Sequence, residues 1–362
     1  KCPPLRFPEF ADEWKQTTLG EIAEIIQTRG KSNTLYLSVE SFLPNFRGIS
    51  ASLNRIQSSG VIFGVYDTLM SNIRPYLRKV WYADCGGTCS SDVLVFRGKS
   101  IIHPRFLYTI IANQSFVDYT MQGAKGVKMP RGDKQQMLLY SLSLPSLAEQ
   151  EKIASFLSLI DERIQSCSET IKEIKAQKSC LRTLILNTII VRWIKLKQAV
   201  EQGIINLKRG EVIPKQSQSS ENIYPVYSSS VQNKGLMGFH NSYMFDKELI
   251  SWSIDGGGHL FYRPRHKFNV TNVCGVLETS CFDYVFLCEV LKEQHRKLLF
   301  DYQNKAHPSV IQELYQVPML EISEQRYYGK LFRLLDERIE VEEELLKQYE
   351  MQKKYLLRQM FI

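Results

Sequence analysis

LPSLAEQEKIASFLSLIDERI, from Leu144 to Ile164, returns as VPMLEISEQRYYGKLFRLLDERI, from Val317 to Ile339. After a two-residue insertion behind the proline, the copies align at an offset of 175. Glu149-Gln150 falls on Glu324-Gln325, and Asp161-Glu162-Arg163-Ile164 falls on Asp336-Glu337-Arg338-Ile339. The match runs on through Lys172/Lys347, Gln177/Gln352, Lys178/Lys353 and Leu181/Leu356. Upstream the echo is fainter: Trp14 opens a stretch ending Thr28-Arg29-Gly30-Lys31, and Trp193 opens one ending Lys208-Arg209-Gly210-Glu211. In the second stretch Leu-Gly-Glu-Ile is only loosely echoed, by Gln198-Ala199-Val200, which leaves its opening strand unsettled. Self-similarity at one fixed offset means one unit used twice, so the chain reads module, helix, module, helix.

Both repeated segments carry heptads. Ile153, Leu157, Ile160, Ile164, Cys167, Ile171, Ile174, Lys178, Leu181 and Ile185 alternate spacings of four and three. Tyr328, Phe332, Leu335, Ile339, Glu342, Leu346, Tyr349, Lys353, Leu356 and Met360 do the same. Seventeen of these twenty are apolar, and the only interior glycine is Gly329 in a first turn. That pattern predicts a coiled-coil seam, not a surface stripe. At ~1.5 Å per residue, about 42 residues make a rod of roughly 63 Å. Each helix ends where a module begins or begins where one ends, which predicts an antiparallel pair. A register of 171 with 349 and 164 with 356 sets Lys178 opposite Glu342, a polar pair of the kind that fixes register.

A chain of 362 residues with 44% hydrophobic and 23% charged residues is expected to bury two or three ordinary cores. Its longest apolar run, Leu184 to Val191, is flanked by Arg182 and Arg192, too short for a membrane span. KCPPLRFPEF lacks the apolar centre of a secretion signal, and the chain starts at Lys1, so a few residues are expected to be missing. The expected setting is soluble and cytoplasmic. Eight cysteines form no Cys-x-x-Cys pair, and Cys85 with Cys89 make two ligands, not a zinc site. The net charge of +8 is uneven: 17 basic against 11 acidic in 1–148, 6 against 6 in 149–191, 15 against 12 in 192–320, and 8 against 9 in 321–362. Both modules are basic and both helices neutral, which favours a polyanionic partner.

Within the modules, strand-like runs (Asp67 to Ser71, Lys79 to Tyr82, Asp92 to Phe96, Leu249 to Ser253, Asn269 to Val276) alternate with Gly, Ser and Asn clusters. Helical stretches follow at Pro104 to Asn113 and Phe282 to Lys292. Each module then closes in a run to a proline, Leu142 to Pro145 and Tyr315 to Pro318. The predicted class is therefore mixed α/β.

No complete catalytic set is legible. Gly30-Lys31-Ser32 and Gly98-Lys99-Ser100 lack the earlier glycine of a phosphate loop, where Ile25 and Val93 stand. Gly256-Gly257-Gly258 reads as a turn, and no Asn/Asp-Pro-Pro-aromatic motif of an adenine methyltransferase occurs. Glu173-Ile174-Lys175 lies on the heptad helix. The six histidines have no evident Ser or Cys partner in a nucleophile elbow. What the modules hold instead are clusters suited to nucleic acid: Ser71 to Lys79 (SNIRPYLRK), Gly123 to Arg131 (GAKGVKMPR), Tyr227 to Lys234 (YSSSVQNK) and Arg263 to Lys267 (RPRHK). Arg and Asn can pair with guanine and adenine edges, while Lys and Ser suit phosphates.

RFPEFADEWKQTTLGEIAEI at the start, the PSLAEQEKIASFLSLIDERI block, the second DERI block and the closing QKKYLLRQMF resemble the DNA-specificity subunit of type I restriction-modification systems. The resemblance implies target recognition domains at 1–146 and 192–319, joined by spacer helices at 147–191 and 320–362. It implies a bipartite DNA target whose unread gap is set by the helices. Partners would be double-stranded DNA, two methyltransferase subunits and endonuclease-translocase subunits, with no membrane. S-adenosylmethionine, ATP and magnesium would sit on those partners; this chain would hold no cofactor and do no chemistry. The expected DNA contacts are Arg29, Lys31, Asn72, Arg74, Tyr76, Lys125, Lys128 and Arg131 in the first module. In the second they are Arg209, Lys215, Ser229, Asn233, Arg263, Arg265 and Lys305. Two other readings stay open on the residues alone: a coiled-coil adaptor with two protein-binding modules, and an enzyme in its own right.

Overall fold

The computed structural model describes residues 3–50, 58–189, 191–213, 223–255, 257–298, 300 and 305–361. They group into two compact units, Lys1–Ser166 with Leu345–Ile362, and Cys167–Glu344. The two heptad segments are single helices, Leu147–Thr188 and Ile322–Gln359. All twenty seam positions are buried or half-buried. In the second unit Lys175 bonds Glu343 and Lys178 bonds Asp336, so numbers rise on one helix as they fall on the other and the segments run antiparallel. The Lys178–Glu342 pairing does not occur: Lys178 meets Asp336 and Glu289, and Glu342 takes Arg338 one turn back on its own helix. Glu289, carried by a third element, adds a second anion to Lys178 at 2.9 Å.

In the first unit, Lys15–Thr18 pairs antiparallel with Ser141–Leu144, and the Leu19 N–H donates to Tyr140 O at 2.9 Å. Two four-stranded sheets follow. One has the order Ala23–Ile26, Val93–Gly98, Thr68–Ser71, Val80–Tyr82; the other has Arg29–Ser32, Ser58–Phe63, Gly87–Cys89, Leu35–Leu37. Val61, Phe63 and Leu37 from one meet Leu69, Trp81 and Val95 from the other in a shared core. The outer face of the first sheet packs on the helix Pro104–Ile111, whose Phe106, Leu107 and Ile110 join Ile153, Leu157 and Leu356 of the long helices. Fully burying such a side chain contributes about 1.5–3 kcal/mol.

The second unit repeats the frame. Trp193–Lys195 pairs with Gln316–Pro318, and the Leu196 N–H donates to Tyr315 O at 2.8 Å. Leu19 and Leu196 thus open equivalent short helices, Leu19–Ile22 and Leu196–Glu201, which settles the loose echo in the sequence. The sheet differs, being one of six strands: Ile205–Arg209, Cys274–Thr279, Phe245–Ser253, Leu260–Val270, Tyr224–Tyr227, Leu236–His240. The run expected as one strand from Asn269 to Val276 is two, broken where the Cys274 N–H turns back to Thr271 O.

The repeated glutamines explain why these segments were recognisable. Gln150 accepts from the His103 N–H at 2.8 Å and donates to Pro145 O at 2.9 Å. Gln325 accepts from the Asp283 N–H at 3.0 Å and donates to Leu320 O at 2.8 Å. Each fastens the start of its module helix (Pro104–Ile111 or Tyr284–His295) to the start of a long helix, satisfying backbone groups that would otherwise be buried unpaired. Gly329 stands where the first copy has Ala154; a Cβ there would lie 2.2 Å from Asp283 Oδ1. The helix glycine exists to let that capping aspartate approach.

Candidate nucleic-acid interface

In the first unit the structure joins two of the basic clusters. Thr68–Ser71 ends, and the chain turns through a short 3-10 helix, Pro75–Leu77, flanked by Arg74 (φ 51) and Arg78 (φ 57) in the left-handed region. Such a backbone costs a non-glycine residue of order 1 kcal/mol and persists where surrounding bonds over-determine it. Here the bonds are evident: the Asn45 and Phe46 N–H groups donate to Leu77 O and Arg78 O, and the Arg74 N–H donates to Pro130 O. Lys125 and Arg131 exchange both backbone hydrogen bonds at 2.9 Å, closing the second loop, and Arg131 bridges Ile73.

Tyr76 and Lys128 are exposed on these loops, Lys125 reaches Asp133 at 3.1 Å, and Arg131 reaches Asp92 at 3.2 Å. Asn72 is buried, its N–H on Asp92 O. Its Oδ1, with the Nε atoms of Arg74 and Arg78, finds no hydrogen-bond partner among the described residues. Arg29 and Lys31 are exposed on a separate strand, opposite Val61 and Ser59.

In the second unit the loop after Tyr224–Tyr227 runs through Ser229 to three successive left-handed residues: Asn233 (φ 48), Lys234 (φ 52) and Gly235 (φ 86). Asn233 is exposed, and Ser229 is half-buried. Lys234 pairs with Glu340 at 2.6 Å. Arg263 to Lys267, expected as a loop, lies inside the strand Leu260–Val270, which bulges there: Pro264 and Arg265 stand opposite the single residue Glu248, between the pairs Lys247/His266 and Leu249/Arg263. Arg265 therefore points outward, with Asp246 at 3.7 Å, whereas Arg263 is 3% exposed and presents no guanidinium at the surface. Arg209 is exposed but folds its guanidinium onto Asn272 O, and Lys305 pairs with Asp255 at 3.0 Å. Lys215 lies outside the described residues.

Several further residues lie beside the expected contacts, Arg78, Lys79 and Lys267 within the quoted clusters and Tyr224, Tyr243 and Asn269 outside them. Arg78 is the second left-handed arginine of the first loop. Lys79 donates to Val39 O at 2.8 Å. Tyr243, Tyr224 and Lys267 form an aromatic and cationic cluster: the rings meet edge-on at 5.1 Å, and Lys267 Nζ lies 4.7 Å over Tyr243. Asn269 donates to Ser242 O at 2.7 Å and holds that turn. Tyr243 and Lys267 are 24 residues apart and meet through strand pairing, so the RPRHK cluster announces the lysine and no local motif announces its tyrosine partner. Cations beside exposed aromatic faces can engage phosphate and base together.

Comparison with known proteins places this arrangement. The family described as "Type I restriction modification DNA specificity domain" matches residues 11–176 and 201–351. Two Mycoplasma pneumoniae proteins named as type I specificity subunits are 34% and 32% identical over 161 residues each, covering 40% and 42% of this chain. The chain spans 52% and 58% of the lengths of those relatives. The EcoDI specificity subunit of Escherichia coli is 24% identical over 156 residues, covering 40% of this chain and 34% of that one. In fold, the chain is similar to the crystal structure of a type I restriction-modification S subunit from M. genitalium, with TM-score 0.69 and 16% identity over 100% of this chain and 99% of that one. With both copies of its repeat matched, this chain belongs to the family of type I restriction-modification DNA specificity domains.

Proposed function

We propose that this chain is the DNA-reading, non-catalytic subunit of a type I restriction-modification assembly in the cytoplasm. Its target recognition domains are 1–146 and 192–319, and its spacer helices are 147–191 and 320–362. Each domain reads one half of a bipartite site in duplex DNA. Two methyltransferase subunits dock on the duplicated frame, and endonuclease-translocase subunits join that core. S-adenosylmethionine, ATP and magnesium belong to those partners.

The observation that carries this reading is that both copies of the repeat frame hold a basic loop with left-handed cationic residues fixed by hydrogen bonds, Arg74 and Arg78 by backbone bonds and Lys234 through its carbonyl by Arg263. Holding cations in a costly backbone conformation suits a surface that must meet a fixed partner. In the first domain the surface contacts are Arg74, Tyr76, Lys125, Lys128 and Arg131, with Asn72 beneath them and Arg29 and Lys31 on the neighbouring strand. In the second they are Ser229, Asn233, Arg265, Arg209 and Lys305, together with Lys215.

The test is methylation mapping across the genome in cells expressing this chain with its methyltransferase subunit, against cells lacking the chain. Modified adenines in a two-part motif with a constant unread gap, present only with the chain, are the expected result. A methyltransferase subunit that is competent with another specificity subunit, yet yields no motif with this one, would sink the reading in favour of a protein-binding adaptor.

A further inference from the structure

Arg263 is a buried cation without a buried anion. It is 3% exposed, and among the described residues no carboxylate pairs with it. Its Nε donates to Ser251 Oγ at 2.9 Å, and its Nη2 donates to the backbone O of Lys234 at 2.6 Å. The guanidinium carbon lies 3.7 Å from the centre of the Tyr227 ring and 5.0 Å from that of Phe261. Burial pulls its pKa down to about 10, so the residue remains charged at neutral pH. A leucine or methionine would fill such a space without desolvating a charge, so packing alone does not account for an arginine here. What an arginine adds is a planar fork that bonds two acceptors at once.

Those two acceptors are informative. Ser251 is itself 1% exposed on the strand Phe245–Ser253, which is paired on both sides. Lys234 is the middle of the left-handed run Asn233, Lys234, Gly235. A Cβ on Gly235 would lie 2.7 Å from Ser228 O and 3.4 Å from Arg263 Nη2, so the loop is folded tightly on the guanidinium. Tyr227, the ring stacked on Arg263, is the residue from which the loop departs. One side chain therefore ties the beginning and the end of the Ser228–Gly235 loop to the sheet.

We propose that Arg263 is a positioning residue: it holds the Ser228–Gly235 loop so that Asn233, exposed at its tip, meets one half of the DNA target. This rests on the DNA-reading function proposed above. Arg263 does not touch DNA; it acts through Asn233.

The experiment is methylation mapping with the full chain and its methyltransferase subunit, comparing wild type with Arg263→Lys, Arg263→Met and Asn233→Ala. Arg263→Lys keeps the charge and loses the fork. It is expected to relax the motif at one or two positions in one half only, by about tenfold in discrimination at each, while the other half and the gap stay unchanged. Asn233→Ala, at an exposed site, is expected to relax the same positions.

A purely structural role would show as lower methylation at every site with an unchanged motif, and would overturn the proposal. So would a motif unchanged in Asn233→Ala but relaxed in Arg263→Lys, or full rescue by lysine. If Arg263→Met fails to fold, the lysine and Asn233 variants still decide. Failure of the wild-type chain to direct any motif would instead overturn the DNA-reading function itself.

Discussion

Lys178 Nζ lies 2.7 Å from both carboxylate oxygens of Asp336, and 175 residues on, its counterpart Lys353 lies 2.5 Å from Asp161, the counterpart of Asp336. Each lysine of one repeat copy bonds the aspartate of the other. A duplicated helix pairing antiparallel with its own copy repeats a heterologous contact wherever both copies keep its residues, as a two-fold interface does. The pairs are equivalent in sequence and unequal in surroundings. Lys178 is also 2.9 Å from Glu289 of the module helix, whereas Lys353 lies 6.0 Å from the centre of the Tyr108 ring.

That inequality predicts unequal costs. Lys178→Met leaves Glu289, only 2% exposed, short of one of its cations. Because Lys292 and Arg182 still pair with Glu289, the cost is expected to be about 2 kcal/mol, below the ~3–5 kcal/mol of an orphaned buried charge. The Asp336 side chain is 46% exposed, so Asp336→Asn is expected to cost about 1 kcal/mol or less. Urea unfolding midpoints of the two variants check the order. Glu342 is only 7% exposed in the seam and its partner is Arg338, so reversing its charge would bury a cation beside that arginine and is expected to cost about 3–5 kcal/mol.

Glu289 also sets a pH response. Burial pushes its carboxyl up, yet Lys292 and Lys178 outweigh burial and hold it at about 2, against an ordinary 4.5. Its folded pKa is depressed, so the stability it contributes is complete above pH 4.5 and is lost as pH falls towards 2. Glu289→Gln is expected to flatten the stability curve of the second unit across that window. Thermal melts between pH 5 and pH 2.5 measure it, and parallel curves for variant and wild type would refute it.

The glutamine fasteners predict a matched pair of local effects. Gln150→Ala and Gln325→Ala each strand a buried N–H and a buried carbonyl, at about 1–3 kcal/mol per site. Hydrogen exchange is expected to quicken at 103–107 in the first variant and at 283–287 in the second. Exchange at the opposite site should not change.

Lys128 tests the electrostatic part of the interface. It is exposed on a loop closed by the Lys125–Arg131 backbone bonds. As a phosphate contact, Lys128→Ala is expected to lower the slope of log affinity against log salt by about 0.9 and leave the methylated motif unchanged. Binding isotherms of the assembled complex at several salt concentrations give the slope.

Exposed apolar residues recur with the repeat: Leu139 and Leu314 are 66% and 46% exposed, and Leu159 and Leu334 are 59% and 53%. Leaving apolar groups in water at equivalent places in both copies suits one partner species that binds twice. Leu159→Asp with Leu334→Asp is expected to abolish copurification of the methyltransferase subunit, and either substitution alone to halve its stoichiometry. Mass measurement of the complexes checks both.

The sequence by itself determined the duplication, the two long helices and the strand that closes each module, while the strand that opens the second module was decided by its pairing with Gln316–Pro318. Heptads and terminal prolines are local signals, and a copy 175 residues away confirms each of them. It also determined that basic residues gather in loops of both modules, because composition is additive along a chain. Only tertiary structure decided which of those residues face outward. Arg263-Pro264-Arg265-His266-Lys267 reads as one basic loop, yet strand pairing and a bulge turn Arg263 inward and Arg265 outward. Seam pairing was decided the same way: heptads align Lys178 with Glu342, yet Lys178 meets Asp336 as Lys353 meets Asp161, and Glu289, from a module helix more than a hundred residues away, adds a second anion to Lys178. Periodicity specifies the face of an element, and the partner on that face depends on what else folds against it.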